Sequence, residues 1–349
     1  MKTDTGRLSS KKIIDRTLPE IFHSNPKISR LDILNLSWML FTLGADLIEI
    51  DLHIMKKLGK LPAGLNFLYR VDSGTALEGL LIHPVKNIVL SRDIPQFDSI
   101  LEKLTAQCKD ITVEFRVESI YDIFKINKLK ADGWIRNIKS VRIVGMNRFV
   151  SADWMKSVEY IKKVHGVSID ICPENLFCNA TALAVEGMMD TAEYITASFM
   201  GYGGASGYAA VEQVLTFAST VLKLSKRVWL NILPELAHSF TMATGVQIPE
   251  NMPVIGKNIF RYESGIHADG IYKNPMTYEP YDPMIVGQER KLSIGKHSGS
   301  KSVAKKLQEL GVEIGCVEIS DFLKLIREKS ILLRRNLEDN EILELLRNG

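Results

Sequence analysis

The chain has 349 residues, of which 46% are hydrophobic and 24% charged, so it has the composition of an ordinary globular protein with room for one barrel-sized domain and an appendage. A net charge of +3 and the lack of a basic, aromatic-rich stripe argue against nucleic-acid binding. The N-terminus has no apolar run, acidic residues interrupt the apolar stretch 31–50, and the four cysteines are scattered. We therefore expect a cytoplasmic protein with reduced thiols and no membrane span.

Eight short apolar runs recur up to residue 197, and helical periodicity between them is clearest at 30–43, 96–108 and 152–164. The runs lie at 13–15, 46–51, 65–71, 88–90, 111–117, 141–144, 167–171 and 194–197. Eight strands alternating with helices predict an α/β fold of the (β/α)8 TIM-barrel type. A doubly wound open sheet is the alternative, but it needs a glycine-rich turn after the first strand, and residues 15–24 contain no glycine.

The long irregular segment 262–299 holds the densest set of side chains suited to chemistry. Glycines and prolines interrupt it throughout, so it is too broken to form a regular core element. The candidate site residues in it are Glu263, His267, Tyr278, Lys296 and His297. Polar and aromatic side chains concentrated on a loop indicate binding more often than packing. A proline- and tyrosine-rich linker that wraps a neighbouring subunit is the alternative interpretation.

Helical periodicity returns after this segment, at 301–310, 320–333 and 339–347. Ser320 and Asp321 give the second of these helices a typical N-cap signal. We therefore predict four parts in the chain: a polar tail at 1–11, a barrel at 12–248, the irregular segment at 249–300 and a helical subdomain at 301–349. The last part is expected to serve packing or subunit contact.

Three motifs in the irregular segment carry a resemblance to a known family. ESGIHADG, TYEPYDP and IGKHSG closely resemble the segment after the barrel in homocitrate synthases and isopropylmalate synthases, which are acyl-CoA-dependent Claisen-condensing enzymes of the DRE-TIM metallolyase superfamily. The resemblance covers residues 12–347, is most specific in the last third and is closest to the nitrogen-fixation type of homocitrate synthase. In that family the segment crosses to the partner subunit. The resemblance thus implies that His267 lies over a partner's active site, assisted by Tyr278.

The barrel motifs depart from the family pattern at the strand ends where metal and substrate bind. Pro19 stands where the family has its substrate-clamping arginine, and Glu20 where it has a metal-binding aspartate. The stretch 176–180 (LFCNA) replaces HCHND, and 201–208 (GYGGASGY) keeps the glycines but not the glutamate, arginine and asparagine. Proline donates no hydrogen bond and leucine binds no metal. We therefore expect no metal or cofactor in this barrel, with Glu20 as a remnant position.

A degenerate barrel joined to an intact segment resembles the omega chain of homocitrate synthases that are split between two chains. The resemblance implies a catalytic alpha-type partner that holds a divalent metal, 2-oxoglutarate and acetyl-CoA, in a hetero-oligomer. His267 is then the acid/base group, Tyr278 orients it and Glu263 tunes its pKa. Lys296 and His297 are expected to meet the acyl-CoA or the carboxylates, although a purely structural turn is as good an explanation. The isolated chain is expected to be inactive.

Two functions of other classes remain open from the sequence. One is a non-catalytic regulator or scaffold that binds the enzyme or its metabolites. The other is an independent metal-free lyase or transferase, with Arg116 or Glu118 at the fifth strand as its reactive groups. A Schiff-base mechanism is disfavoured, because none of the eight predicted strands ends in a lysine. We favour a structural role for Arg116 and Glu118.

Overall fold

The computed structural model describes residues 10–108, 110–127, 137–149, 154–223, 228–263, 267, 270, 271, 273–312 and 319–348. The chain divides into two compact units, Met1–Gln247 and Ile248–Gly349. The first unit contains the barrel. The second contains a strand pair and the helices near the C-terminus.

Eight strands form a closed barrel in the first unit, in the order in which they occur along the chain. They are β1 (Lys12–Asp15), β2 (Leu47–Ile50), β3 (Phe67–Val71), β4 (Asn87–Ser91), β5 (Asp110–Val117), β6 (Ser140–Gly145), β7 (Ser168–Pro173) and β8 (Tyr194–Ala197). Each pairs in parallel with the next, and β8 closes the barrel against β1, where Ile14 lies opposite Thr196. Every predicted apolar run overlaps a strand, and the predicted (β/α)8 barrel is confirmed.

Helices surround the barrel and connect its strands. They are α1 (Thr17–Ser24), α2 (Arg30–Leu43), α3 (Leu52–Leu58), α4 (Glu78–Ile82), α5 (Phe97–Thr105), α6 (Ile120–Asn127), α7 (Trp154–His165), α8 (Ala180–Met189), α9 (Val211–Thr220) and α10 (Leu233–Thr244). Helix α2 has the predicted bounds, whereas α5 is shorter than the predicted stretch 96–108. Within the described ranges, no helix has the length and apolar character needed to cross a bilayer.

Helix α2 shows how local sequence sets the element bounds. The Ser29 hydroxyl accepts a hydrogen bond from the backbone N–H of Asp32 at 3.1 Å and caps the first turn. Gly44, with φ +134°, ends the helix in a conformation that side chains rarely adopt. The apolar residues of one face are buried: Ile33, Leu36, Leu40 and Leu43. Their three- and four-residue spacing directs this face of the helix to the core.

The second unit is built on a parallel strand pair, β9 (Arg261–Tyr262) and β10 (Lys291–Leu292), and three helices. The helices are α11 (Ser300–Glu309), α12 (Ile319–Leu333) and α13 (Asp339–Asn348). They share one apolar core with β10, formed by Leu292, Ile294, Val303, Leu307, Phe322, Leu323, Ile326, Leu337 and Ile342. Each such side chain contributes roughly 1.5–3 kcal/mol when fully buried. The three predicted C-terminal helices are confirmed within a few residues.

Candidate functional site

Five charged side chains from five strands meet inside the barrel. They are Glu49, Arg70, Glu114, Arg142 and Asp170. Arg142 donates to Glu49 Oε2 at 2.6 Å and to Asp170 Oδ2 at 2.6 Å. Arg70 donates to Glu49 Oε1 at 2.9 Å and forms two further hydrogen bonds to Glu114. Each carboxylate is therefore paired with at least one guanidinium group within the barrel, and losing one partner would leave a buried charge uncompensated.

The pKa values of this network follow from a balance of burial and charge. Burial raises the pKa of Glu114, but the nearby guanidinium groups of Arg70 and Arg142 outweigh burial and hold it at about 2. The same balance lowers the pKa of Glu49. Both carboxylates therefore stay ionised and paired at neutral pH. The network ties charged side chains of five strands to one another in the barrel interior.

Arg16, directly after β1, fills the carboxyl end of the barrel. It is 5% exposed. Its guanidinium donates to Glu20 Oε1 at 2.8 Å and to Cys172 Sγ at 3.2 Å, and its Cζ atom lies 4.0 Å from the centre of the Tyr208 ring. Burial raises the pKa of Cys172 to about 12, so this thiol is a neutral acceptor. The positive charge of Arg16 thus lies between the carboxylate of Glu20 and the face of Tyr208.

The glycine loop after β8 contacts the other side of Glu20. The backbone N–H of Gly204 donates to Glu20 Oε2 at 3.0 Å. A Cβ atom on Gly203, where φ is +127°, would lie 2.4 Å from Glu20 Cγ. Only glycine allows so close an approach of loop and carboxylate. Both oxygens of Glu20 are therefore hydrogen-bonded within the chain.

A cavity of about 510 Å³ opens at this end of the barrel. Three acidic residues that line it, Glu20, Asp51 and Asp72, outnumber its two arginines, Arg16 and Arg70. Both arginines are already engaged in ion pairs. An anionic 2-oxo acid would therefore meet neither a free arginine nor a positive field here.

The loop after β7 presents apolar side chains where the family motif has metal-binding histidines. Leu176 and Phe177 are 58% and 62% exposed, and Cys178 is exposed with φ +59°. Across the ranges that the structure describes, no three His, Cys, Asp or Glu side chains are grouped so that they could hold a metal ion.

Arg116 and Glu118, the candidates for an independent activity, belong to one ion-pair cluster. Arg116 donates two hydrogen bonds to the carboxylate of Glu174, at 2.6 and 2.9 Å, and its Nε lies 3.0 Å from Glu118 Oε1. Asn147 donates to the other oxygen of Glu118 at 2.9 Å. Because the three guanidinium nitrogens are all engaged, the geometry favours a structural role for this pair.

In the second unit, the structure brings His267 and Tyr278 together. Their ring centres are 4.6 Å apart with an interplanar angle of 53°, and both residues are exposed. Gly270 makes this approach possible, because a Cβ atom there would lie 2.3 Å from Tyr278 Cε2. Asp269 and Tyr272, two other polar residues of the predicted segment, lie outside the described residues. The contact forms an exposed imidazole–phenol pair.

Glu263 contacts the other end of the predicted segment. Its Oε1 accepts a hydrogen bond from the backbone N–H of His297 at 2.7 Å. The turn is closed by the Ser298 hydroxyl, which accepts from the backbone N–H of Gly295 at 2.9 Å. The side chains of Lys296 and His297 are exposed on this turn. The structure thus connects Glu263 with His297, and the predicted influence of Glu263 on the pKa of His267 stays a prediction.

Sequence reasoning did not single out Arg16, Tyr208 or the five charged residues inside the barrel. The sequence did contain a signal for the five charged residues, because each lies within a predicted apolar strand, as in VRIV and SIDI. A lone charge within a buried strand calls for a partner on a neighbouring strand. Arg16 gave no such signal, because it occupies a variable position of the family motif.

Comparison with known sequences shows similarity along nearly the whole chain. The omega subunit of homocitrate synthase from Clostridium pasteurianum is 33% identical over 340 residues, which cover 96% of this chain and 95% of that protein. Homocitrate synthase 1 from Nostoc sp. is 34% identical over 52% of this chain and 48% of its own length. A 2-isopropylmalate synthase from Caldanaerobacter subterraneus is 36% identical over 54% of this chain and 49% of its own length. The family model described as homocitrate synthase post-HMGL domain-like matches residues 254–331.

Solved structures share the barrel. Hydroxymethylglutaryl-CoA lyase from Pseudomonas aeruginosa matches with a TM-score of 0.55 over 69% of this chain and 95% of that chain. Its sequence identity is 14%. The lyase from Bacillus subtilis gives a TM-score of 0.53 over 69% of this chain and 96% of that chain, at 16% sequence identity. At these identities the likeness concerns the fold alone.

Proposed function

Since this chain belongs to the homocitrate synthase family, as the motifs of segment 262–299 predicted, we propose that it is an omega-type subunit of a two-chain homocitrate synthase. Its own barrel binds no metal, and His267 acts at the metal-containing barrel of a catalytic alpha-type partner. The complex condenses acetyl-CoA with 2-oxoglutarate to give homocitrate. By itself, the chain does not catalyse this reaction.

The observation that carries the proposal is the contact of Arg16 with both Glu20 and Tyr208. The family resemblance implies that these two positions normally hold metal ligands, an aspartate in place of Glu20 and an asparagine in place of Tyr208. A divalent cation needs several oxygen or nitrogen ligands that converge on one point. Here a guanidinium of the same chain occupies the space between them and engages one oxygen of Glu20, while Gly204 engages the other. The residues present therefore do not fit a divalent metal, and no step of the reaction is assigned to this barrel.

The donor role of His267 is supported by its exposure and its contact with Tyr278. An imidazole exchanges protons near neutral pH, which suits a general acid/base. In the proposed reaction, the enolate of acetyl-CoA attacks the keto carbon of 2-oxoglutarate, and the thioester is then hydrolysed. His267 moves protons near the thioester, while the Tyr278 phenol packs against the imidazole and orients it. The metal of the partner supplies Lewis-acid polarisation of the keto group when bound.

Lys296 and His297 are proposed to contact the anionic groups of the substrates. They are exposed on a turn whose backbone is fixed by Glu263 and Ser298. A fixed backbone lowers the entropy cost of placing two basic side chains at a phosphate or carboxylate. Glu263 therefore contributes by positioning this turn. Its effect on the proton affinity of His267 is a second, separate part of the proposal.

The test is an assay of homocitrate formation with the purified chain, a purified alpha-type chain and their mixture. We expect activity only in the mixture. His267→Ala should lower the kcat of the mixture by roughly 10²–10⁴-fold, the usual contribution of general acid–base catalysis, without loss of assembly. His238→Ala, which removes an exposed histidine of the barrel unit, is the matched control and should leave kcat unchanged.

The other functions predict different results in the same assay. A regulator or scaffold loses nothing when His267 is replaced, although disruption of α11–α13 abolishes its effect on the partner. An independent lyase or transferase is active as the isolated chain and depends on Arg116 or Glu118. Either result would contradict the donor role.

A further inference from the structure

The barrel has another cavity at the end opposite to the one that contains Arg16 and Glu20. This amino-end cavity has a volume of about 710 Å³, within the usual range for small-molecule sites. Its lining residues lie at the amino ends of the strands, among them Lys12 at the start of β1 and Tyr194 at the start of β8. The chemistry of a TIM barrel takes place at the carboxyl end. The proposed function therefore gives the amino-end cavity no role.

The floor of the amino-end cavity is apolar. Ile14 and Leu68 line it and form a buried cluster with Val89, and Leu47 and Tyr194 pack against this cluster. Ile14 and Leu68 are each 2% exposed. Aliphatic side chains offer no hydrogen bond to a bound molecule. The floor therefore suits an apolar group and disfavours a charged one.

The network of five charged side chains separates this floor from the carboxyl end of the barrel. Glu49 and Arg70 of the network follow Leu47 and Leu68 by two residues, and alternate side chains of a strand point to the same side. The network therefore forms the next layer, about 6.6 Å further along the strands. The ion pair of Arg70 with Glu49, at 2.9 Å, belongs to this layer. A molecule on the floor thus lies on the other side of the network from the carboxyl-end cavity.

Two lysines lie around Tyr194 in the wall of the amino-end cavity. The ammonium group of Lys12 lies over the Tyr194 ring, 6.0 Å from its centre. The ammonium group of Lys139 lies 3.1 Å from the carboxylate of Asp110. Burial lowers the pKa of Lys139, but hydrogen bonds to Asp110 and Tyr194 outweigh burial and raise it. Both lysines are therefore charged at neutral pH.

Lys12 differs from the other charged residues of the lining. Asp110 is paired with Lys139, and the carboxylate of Asp46 accepts a hydrogen bond from the backbone N–H of Ile13 at 2.7 Å. Across the described residues, the ammonium group of Lys12 forms neither an ion pair nor a hydrogen bond. An ammonium group has three N–H donors. The wall thus offers unused cationic donors above an apolar floor.

Aromatic side chains line the cavity as well. Phe41 is partly buried, and Trp229 is 47% exposed. Together with Tyr194 they provide ring faces and edges, which pack well against another aromatic ring. The lining therefore favours a planar aromatic body over a flexible aliphatic one.

We propose that the amino-end cavity binds an aromatic monocarboxylate. Its carboxylate accepts charge-assisted hydrogen bonds from Lys12, and its ring system covers Ile14 and Leu68. The lining contains two lysines, at 12 and 139, and two aspartates, at 46 and 110, so it has no positive excess for a second negative charge. Acetyl-CoA and 2-oxoglutarate carry several negative charges and do not fit. The site is therefore independent of the proposed reaction.

The experiment measures the binding of naphthalene-2-carboxylate to the full-length chain by isothermal titration calorimetry. We expect saturable binding with a dissociation constant below about 1 mM. The uncharged naphthalene-2-carboxamide has the same ring system but no negative charge, and it should bind at least about ten-fold more weakly. Naphthalene-2,6-dicarboxylate should lose at least about ten-fold as well, because its second carboxylate meets the apolar floor. No binding of the monocarboxylate, or equal affinity for either analogue, would overturn the proposal.

Lysine variants locate the site on the chain. Lys12→Met keeps an unbranched side chain and removes the charge at an exposed position, so the variant should fold like the wild type. Its dissociation constant for the monocarboxylate should rise about ten-fold, while its affinity for the carboxamide stays unchanged. Lys12→Arg should restore most of the lost affinity.

Lys103→Met is the matched control. Lys103 is an exposed lysine of α5 and is not among the residues that line the cavity. This variant should bind the monocarboxylate like the wild type. If Lys12 had only a structural role, Lys12→Met would weaken both ligands alike. That result, or equal affinities of Lys12→Met and Lys103→Met for the monocarboxylate, would overturn the proposal.

Discussion

The Cζ atom of Arg16 lies over the ring of Tyr208, 4.0 Å from the ring centre. A cation over an aromatic face contributes about 2 kcal/mol when both groups are desolvated. Arg16 and Tyr208 are both nearly excluded from solvent. The contact connects the segment after β1 to the loop after β8, next to Glu20.

The ring of Tyr208 should therefore matter more than its hydroxyl. We expect Tyr208→Leu to lower the free energy of unfolding by about 2–4 kcal/mol, because it removes both the packed ring and the partner of the cation. Tyr208→Phe keeps the ring face and should cost less than about 1 kcal/mol. Urea unfolding of both variants checks this. Similar losses for the two substitutions would show that the cation–ring contact contributes nothing.

Removal of metal should affect the complex and not this chain. Glu20 is hydrogen-bonded to Arg16 and Gly204, so we expect a chelator to leave the Tm of the isolated chain unchanged. The same chelator should abolish the activity of the mixture with the partner. Added Mg²⁺ or Mn²⁺ should likewise leave the Tm of the isolated chain unchanged. A chelator-sensitive Tm, or a divalent ion retained after dialysis, would contradict the metal-free barrel.

The barrel was predictable from sequence because its strands bury both faces. Such strands appear as short apolar runs, and a run such as 88–90 indicates a strand without knowledge of its neighbours. The bounds of α2 were predictable for a similar reason, since its N-cap and terminal glycine are local signals. Elements of this kind are specified by residues that are near one another in the chain.

The contacts at the barrel end were not predictable in the same way. Arg16 meets Cys172, which is 156 residues away along the chain, and Tyr208, which comes from another loop. The sequence showed that Glu20 and Tyr208 stand where the family has an aspartate and an asparagine, but not that Arg16 lies between them. The contact of Glu263 with His297 was equally hidden, because it depends on the pairing of β9 with β10. Contacts between residues that are far apart in the chain depend on the fold as a whole.

Gly270 should control the placement of Tyr278. We expect Gly270→Ala to push the Tyr278 ring away from His267, because the new Cβ atom would lie 2.3 Å from Tyr278 Cε2. The kcat of the complex should then fall by roughly ten-fold or more, close to the effect of removing the Tyr278 side chain. Steady-state kinetics of the mixture with the partner measures this change.

Gly299→Ala is the control for Gly270→Ala. Gly299 lies in the same unit and has an ordinary negative φ of −104°. A Cβ atom added there would meet none of the described atoms within 4 Å. This substitution should leave kcat unchanged. If Gly270→Ala behaves like the control, the contact between Tyr278 and His267 is not required for activity.

Glu212 should make the barrel less stable as the pH rises. The residue is fully buried at the start of α9, where Oε2 accepts a hydrogen bond from the backbone N–H of Met200 at 3.0 Å and Oε1 has no partner among the described residues. Burial raises its pKa from 4.5 to about 7, with a smaller contribution from the nearby carboxylate of Asp15. The pKa of Asp15 is likewise raised to about 7, again by burial first.

The direction in which Glu212 changes the stability with pH follows from proton linkage. A folded-state pKa above the unfolded value means that the folded protein binds more protons between the two. The contribution of Glu212 to stability is therefore fully present below pH 4.5 and is lost as the pH rises through about 7. Glu212 alone accounts for up to about 3 kcal/mol of this loss by about pH 8. Glu114 and Glu341, whose pKa values are lowered to about 2, act only below this window.

Glu212→Gln should therefore reduce the loss of stability between about pH 5 and about pH 8, since the amide keeps the shape of the neutral acid and cannot ionise. The variant should be more stable than the wild type at about pH 8. Any dependence of its stability on pH that remains is expected to come from the ionisation of Asp15. Urea unfolding at several pH values measures both effects. Glu235→Gln, at an exposed position of α10, should keep the wild-type slope. A Glu212→Gln slope equal to that of the wild type would mean that this carboxyl group is already ionised in the folded protein.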